Sequence, residues 1–354
     1  MNIKSLLLGS AAALAAVSGA HAADAIVAAE PEAMEYVRVC DAFGTGYFYI
    51  PGTETCLKIS GYVRTQLEYD DARGNDNELN AFTRGQLEIT AKNDTEYGTL
   101  SSYIVLRAQT DNGNNVNSDS GAYLDAAWIN IAGFDVGNYY TWWDDDLSGE
   151  TDFLNTNDTT LNGVRYTYDG GTFRAGIAAE ELESATNTFG VPQDGEGNND
   201  IGLSGLLGGT LGGFNVQAIG SYDFNAEEAA FRALVTAEIG PGTLGLGGIY
   251  ATDANYYWDV SEWTVAAEYA IKATDKLTIT PAAQYFGNIY RTGSSAAFND
   301  VDAWRVGVTA GYKITEGLRT LATVNYTDAE GSNNQVTGSD DNQWTGFLRL
   351  QRDF

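Results

Sequence analysis

The chain has 354 residues, 48 of them acidic against 19 basic, and a formal net charge of −29. Such acidity excludes nucleic acid as a natural partner, because phosphate backbones are held by net basic surface. The single histidine, His21, lies in a leader-like N-terminus, so the rest of the chain offers neither Ser-His-Asp hydrolysis nor most zinc chemistry.

At the N-terminus, Lys4 precedes the apolar run "LLLGSAAALAAVSGA", and "AHA" over residues 20–22 fits the small-x-small rule for signal cleavage. Residues 1–22 read as a signal peptide, with the mature chain expected to begin at Ala23. The apolar run is too short for a spanning helix of about 20 residues. Losing Lys4 makes the remaining chain one unit more negative.

Residues 23–56 form an N-terminal segment ahead of the first long strand. It contains the only two cysteines, Cys40 and Cys56, in "CDAFGTGYFYIPGTETC". Export delivers a chain to an oxidising compartment, so the pair is expected to be bridged across a Gly- and Pro-containing hairpin. The bridge reads as structural, not as a metal site.

From Leu57 the pattern changes. In "LKISGYVRTQLEYD", Leu57, Ile59, Gly61, Val63, Thr65, Leu67 and Tyr69 share one face. Lys58, Ser60, Tyr62, Arg64, Gln66, Glu68 and Asp70 share the other. Period-two alternation predicts a β-strand, and it recurs in "AFTRGQLEITAK", "TLSSYIVLRAQ", "FRALVTAEI", "WTVAAEYAIK" and "WRVGVTAGYKI". Several apolar faces begin or end with Trp, Tyr or Phe, as amphipathic rings do at the two interfaces of a membrane. Between these rings the faces use Ala, Gly, Val and Thr. Those residues are tolerable against lipid but poor at filling a soluble core.

Connections alternate between tight turns, such as "GPGT" over residues 240–243, and long polar loops, such as "LESATNTFGVPQDGEGNND". About sixteen strand segments run from residue 57 to residue 354. An even number closes an antiparallel barrel, and the alternation of short turns with long loops fits an outer-membrane barrel. The fold class is therefore all-β: a 16-stranded antiparallel transmembrane β-barrel, one domain over residues 23–354, with residues 57–354 as the barrel. The chain ends "WTGFLRLQRDF", with Trp344, Leu348, Leu350 and Phe354 in phase as a final membrane strand.

The stretch "EYVRVCDAFGTGYFYIPGTETCLKISGYVRTQLEYD" and the closing "QRDF" resemble the general porins of alphaproteobacteria, of the rhizobial and Brucella type. The resemblance implies a sixteen-stranded barrel, usually a homotrimer, set in outer-membrane lipid and lipopolysaccharide and open to small hydrophilic solutes and ions. It implies no cofactor and no enzymatic role. It also implies that the third outer loop, here "WWDDDLSGETDFLNTNDTTLNG" between the fifth and sixth strands, folds into the lumen as a constriction.

That loop carries Asp144, Asp145, Asp146, Glu150, Asp152 and Asp158, with no Lys or Arg among them. An acidic lining favours cations. Arg64, Arg84 and Arg107 fall on the polar faces of three successive strands and are expected to form a facing basic wall. A turn centred near Thr95 and Glu96 sets Arg84 opposite Arg107. Arg165, Arg174, Arg305 and Arg349 also fall on polar faces, supported by alternation alone.

Other motifs are incomplete. "DNGNNVNSD" has Val116 where a calcium loop needs Gly, and no closing Glu. "GLLGGTLGGF" lacks the Lys-Ser/Thr of a phosphate loop.

The leading reading is a passive diffusion channel with weak cation preference. Two others stay open: a substrate-selective channel, for sugars for example, in which Tyr139, Tyr140, Trp142 and Trp143 form a stacking track where the simpler reading makes them part of the aromatic girdle, and a surface receptor or adhesin on a barrel platform. The segment from Ala23 to Val39 is too short to plug a wide barrel.

Overall fold

A computed structural model describes residues 38–71, 79–111, 120–155, 159–182, 200–291, 297–331, 334, 336–338 and 340–354. The signal-peptide and cleavage expectations therefore lie outside the described residues.

Strands follow one another along the chain: β1 Phe48–Tyr49, β2 Cys56–Asp70, β3 Leu79–Thr95, β4 Gly98–Asp111, β5 Ser120–Ile131, β6 Phe134–Tyr140, β7 Thr160–Asp169, β8 Phe173–Glu181 and β9 Ile201–Leu211. They continue with β10 Phe214–Asp223, β11 Glu228–Ile239, β12 Gly242–Ala251, β13 Ser261–Lys272, β14 Leu277–Arg291, β15 Ala297–Phe298, β16 Ala303–Thr315, β17 Leu318–Ala329 and β18 Asn342–Asp353. Apart from the two-residue β1 and β15, these make the sixteen expected barrel strands. Neighbours pair antiparallel, and β18 pairs with β2 to close the cylinder. Val39–Phe354 is one compact unit.

Alternation decides which way each residue faces. On β2, Val63 is 50% and Leu67 45% exposed, while Gln66 between them is 5% exposed. Outside the cylinder that exposure is apolar, as a lipid-facing surface requires. Aromatic rings gather at its two rims. At the loop end Trp344 and Tyr326 lie 4.9 Å apart, and Trp304 and Tyr326 5.4 Å. At the turn end Phe134 and Tyr166 lie 4.8 Å apart. On β16, Trp304 and Tyr312 lie eight residue steps apart, roughly 26 Å of strand, which after tilt is close to the apolar band of a membrane barrel.

Tight turns close one end of the cylinder. Ala132–Gly133 (φ 51 and 87) and Gly212–Gly213 (φ 56 and 91) have two positive-φ residues each. That is the backbone of a type I′ hairpin turn, whose twist matches the strands it joins. Closure also depends on Gly61 (φ 153), where an added Cβ would lie 2.1 Å from the Gln86 carbonyl oxygen. The Gly61 amide donates to the Phe354 carbonyl, and the Phe354 amide donates back to the Gly61 carbonyl. The last residue is thus sewn to the first long strand.

Cys40 and Cys56 are bonded, with Cα atoms 5.9 Å apart, and are buried with Tyr47. The hairpin they close sits at the turn end of the cylinder, where the Lys92 ammonium lies 5.5 Å from the Tyr47 ring. Closing a loop of this size contributes about 3 kcal/mol. The effect is local, because none of the β2 to β18 barrel pairings depends on it. A double Cys→Ser variant is expected to keep its folded, heat-modifiable band on detergent gels, with a modest loss of thermal stability. Failure to fold would show that the hairpin is needed for barrel closure.

The interior departs from expectation. The sequence implies a polar lumen narrowed by one inward loop. Instead, one half of the lumen holds an apolar core. Leu206, Ile219, Leu234, Ile249 and Phe286 point inward from β9–β14 and bury Trp142, Trp143, Leu147 and Leu154 of one loop, and Tyr257, Trp258 and Val260 of another. Wall side chains alone cannot fill such a barrel, but two inward loops fill half of it.

Candidate functional site

The segment from Thr141 to Asn155, between the fifth and sixth barrel strands, folds into the lumen. Its apolar residues explain why: Trp143 is 1% and Leu154 0% exposed, and burying each stabilises by about 1.5–3 kcal/mol. Backbone groups then need partners inside the barrel. Arg232 on β11 supplies the most. Its guanidinium donates to the Trp142 carbonyl at 2.6 Å, to the Trp143 and Leu154 carbonyls at 2.8 Å each, and to Gln217 Oε1 at 3.1 Å.

Further along, Glu268 on β13 accepts from the Ser148 amide at 2.9 Å and the Gly149 amide at 2.7 Å. Gln284 on β14 brackets Phe153, accepting from its amide and donating to its carbonyl. Thr309 accepts from the Glu150 amide, and Asn325 donates to the Glu150 carbonyl. The Trp143 indole donates to Ser221 Oγ at 2.9 Å, and Ser221 leads through Ser204 to Glu180 and Tyr257. Trp143 and Tyr257 stack at 6.2 Å, tying the second inward loop to the first.

The loop therefore lies along the inner wall from β10 to β18 and leaves the side formed by β2–β6 open. There, a cavity of about 650 Å³ is lined by Tyr62, Arg64, Arg84 and Arg107 on the wall, with Asp144, Asn155 and Thr159 opposite. The three expected arginines share one cavity and face the loop.

Their register differs from expectation. Arg84 is the Cα partner of Gln109, and Arg107 of Gln86. The β3–β4 turn is centred between Glu96 and Tyr97, one residue later than the polar run suggests, and this moves pairing by two. Arg64 and Arg84 are direct partners across β2 and β3. A fourth arginine, Arg349 on β18, joins them and pairs with Glu150 at 3.2 Å.

The described loop carboxylates lie in different surroundings. Asp144 faces the basic wall. Burial, then the neighbouring Asp145 charge, pushes its carboxyl up, while Arg107 pulls it back. Asp145 accepts from Gln217 at 2.6 Å, and both Asp145 and Asp146 border a separate cavity of about 430 Å³ beside Arg174 and Asp169. Desolvation within the loop, then the neighbouring Asp152, raises the Asp146 carboxyl well above the ordinary range, although the residue borders that cavity. Glu150 is taken by Arg349. Asp158 lies outside the described residues.

Of the remaining arginines, Arg165 pairs with Asp135 at 2.7 Å and lies over the Tyr139 ring. Arg305 reaches Thr345 Oγ1 at 3.4 Å. The aromatic track does not form. Trp142 and Trp143 are core residues, neither sugar track nor girdle, and Tyr139 is buried. Only Tyr140 reaches the open cavity, together with Tyr62, Tyr103 and Trp128. Arg232 and Glu268 were the missed anchors. Their one signal is a mid-strand charge on the inward face with small or apolar neighbours in phase, Ala230 and Leu234 beside Arg232, and Ala266 and Ala270 beside Glu268.

Residues 24–353 match the porin subfamily. This chain belongs to it. The porin is 47% identical over 350 residues to outer membrane protein IIIA of Rhizobium leguminosarum bv. viciae, covering 96% of this chain and 93% of the other. It is 33% identical over 381 residues to porin Omp2b of Brucella neotomae, covering both chains fully. Among solved structures it resembles the loop L8 deletion mutant of OmpT of Vibrio cholerae, with TM-score 0.59, 16% identity, and coverage of 85% of this chain and 100% of the other. It also resembles OmpT in its trimer form, with TM-score 0.56, 16% identity, and coverage of 85% and 100%. At those identities the structures support the fold alone. The porin is an outer-membrane protein with a transmembrane β-barrel, and its relatives identify it as a channel.

Proposed function

We propose that this porin is a passive diffusion channel for small hydrophilic solutes and ions, weakly cation-preferring, working as a homotrimer and catalysing no reaction. The observation that carries the reading is the open side of the lumen. A charged cavity remains between the inward loop and the β2–β4 wall, while apolar packing fills much of the other half. Cation preference follows from the formal charge of −29 and from Asp144 at the narrow section. The hairpin of Cys40 and Cys56 then faces the periplasm with the short turns, and the mature chain of residues 23–354 is one barrel domain. The trimer form of the similar OmpT barrel supports oligomerisation.

Purified protein in planar bilayers under a KCl gradient tests this. Conductance should appear in steps of three, with a reversal potential on the cation side. Unheated detergent gels should show one heavy band that collapses on boiling. Absence of steps overturns the channel, an anion-side potential overturns the preference, and a native mass of one chain overturns the trimer.

A further inference from the structure

Several inward arginines are paired with a carboxylate: Arg107 with Asp125 at 2.7 Å, Arg165 with Asp135 at 2.7 Å and Arg349 with Glu150 at 3.2 Å. Arg174 on β8, far from the open wall, is different. Among the described residues it makes no hydrogen bond and no ion pair, and it borders the cavity of about 430 Å³ beneath the loop. That cavity lies on the turn side of the loop, against the β7–β8 turn residues Gly171 and Thr172. Its volume falls in the range of small-molecule sites. Asp169 is the Cα partner of Arg174, but its Oδ1 accepts from the Gly171 amide at 2.8 Å and no ion pair joins the two.

Register sets the shape of this chamber. Gly208 on β9 is the Cα partner of Arg174 on one side and of Gln217 on the other. Arg174, Gly208 and Gln217 therefore form one row across three strands, the outer two roughly 10 Å apart at two strand spacings. The middle position has no side chain. Arg174 Nε and Nη2 lie 3.7 and 4.0 Å from where a Cβ on Gly208 would be, so the guanidinium reaches over the glycine. At the far end of the row Gln217 donates to Asp145 at 2.6 Å. Arg232 fixes the loop just before Asp145 through the Trp142 and Trp143 carbonyls. Asp145 and Asp146 are thus held on one side of the chamber and the Arg174 guanidinium on the other, with a glycine floor between them. Asn215 also lines the chamber. Its Oδ1 accepts from Thr210 Oγ1 at 2.9 Å, which leaves its amide NH2 to donate.

We propose that this chamber binds a zwitterionic solute of the amino-acid class, with its carboxylate on Arg174 and its ammonium on Asp145 and Asp146. Gln217 is the positioning residue, and Gly208 leaves the space. Opposite charges that share a cavity without pairing offer a ligand two ends at once. The guanidinium fork matches a carboxylate, and such charge-assisted bonds are the strong ones. An ammonium has three donors for the loop carboxylates. A solute with only one of the two charges engages one end and leaves the other unmatched, so the site selects for both charges on one small molecule.

The inference rests on the channel reading only for the route by which the solute arrives, and its test needs no conduction. Saturation-transfer NMR titrations are run on the full-length protein in detergent at 0.1 M NaCl, where the screening length is about 10 Å. Glycine, acetate and methylammonium are added in turn. Saturable transfer to glycine is expected, with either half-molecule binding about tenfold more weakly or worse.

R174Q should weaken glycine binding about tenfold or more, the loss expected when a charged hydrogen bond worth over 1.4 kcal/mol is removed. D145N/D146N should weaken it comparably. G208L keeps all three charges but fills the floor, and should abolish binding. Folding of each variant is checked by its heat-modifiable band on detergent gels. Glycine binding unaltered in R174Q, in D145N/D146N or in folded G208L overturns the site. So does equal binding of acetate or methylammonium, or no saturable transfer to glycine. Each of these leaves the channel standing, because conductance steps of the unaltered protein are read separately. Absence of those steps overturns the channel and leaves the binding result in place.

Discussion

Replacing Arg232 by Met is expected to unfasten the constriction loop. The guanidinium donates to three loop carbonyls and to Gln217 from a residue 2% exposed. Methionine fills much of the space but donates nothing. Three carbonyls at the start and end of the loop then lie buried without partners, each costing about 1–3 kcal/mol. Breaking a buried charged network of this kind costs about 3–5 kcal/mol, which raises the population of an open loop by roughly 10²–10⁴.

The barrel itself should survive, because no strand pairing passes through the Arg232 side chain. Bilayer recordings should therefore show R232M steps of larger and fluctuating amplitude, with the heavy unheated band retained. Arg232→Lys keeps the charge but cannot reach all four acceptors, so its behaviour should be intermediate. Quiet steps of unaltered amplitude in R232M would show that Trp143, Leu154 and the Glu268 contacts hold the loop unaided.

Most of this architecture is legible in the alternation of single strands. Leu57 to Asp70 sorts correctly into lipid and lumen faces, because a period-two pattern on a membrane barrel has only two solvents to choose between. The disulfide follows from export and two cysteines. The arginine wall follows from Arg64, Arg84 and Arg107 sharing inward phase, although the register was off by two. Turn position is weakly encoded when the residues around it, here Asn93 to Gly98, are all polar.

The filled half of the lumen was not legible. Leu206, Leu234 and Phe286 sit on the inward faces, where a channel reading expects polar side chains, and nothing local says that a loop far along the chain will cover them. The aromatic residues Trp142 and Trp143 carry the same ambiguity. Only the partner surface decides whether a tryptophan belongs to a girdle, a sugar track or a core.

The largest effect on selectivity is expected from two carboxylates rather than six. Asp144 borders the open cavity, and Glu150 neutralises Arg349. Asp145 is engaged by Gln217, and both Asp145 and Asp146 border the other cavity. An ion passing about 7 Å from a unit charge feels roughly 0.6 kcal/mol in water-like dielectric, halved by screening at 0.1 M. Removing one such charge changes the cation-to-anion ratio about threefold at 0.1 M and by only about a fifth at 1 M, where the screening length is about 3 Å.

D144N/E150Q should therefore move the reversal potential toward anions strongly in dilute salt and little in concentrated salt. Glu150→Gln adds to the shift by freeing the Arg349 charge. Asp145→Asn serves as the control and should move it far less, although all three residues lie on the same loop. Arg107→Gln should move it the other way, since Asp125 is left unpaired beside the path. If D145N matches D144N, ions pass beneath the loop as well as beside it. A D144N/E150Q shift of equal size at 0.1 M and 1 M would mean that the loop has moved, since a charge effect must fade as screening tightens.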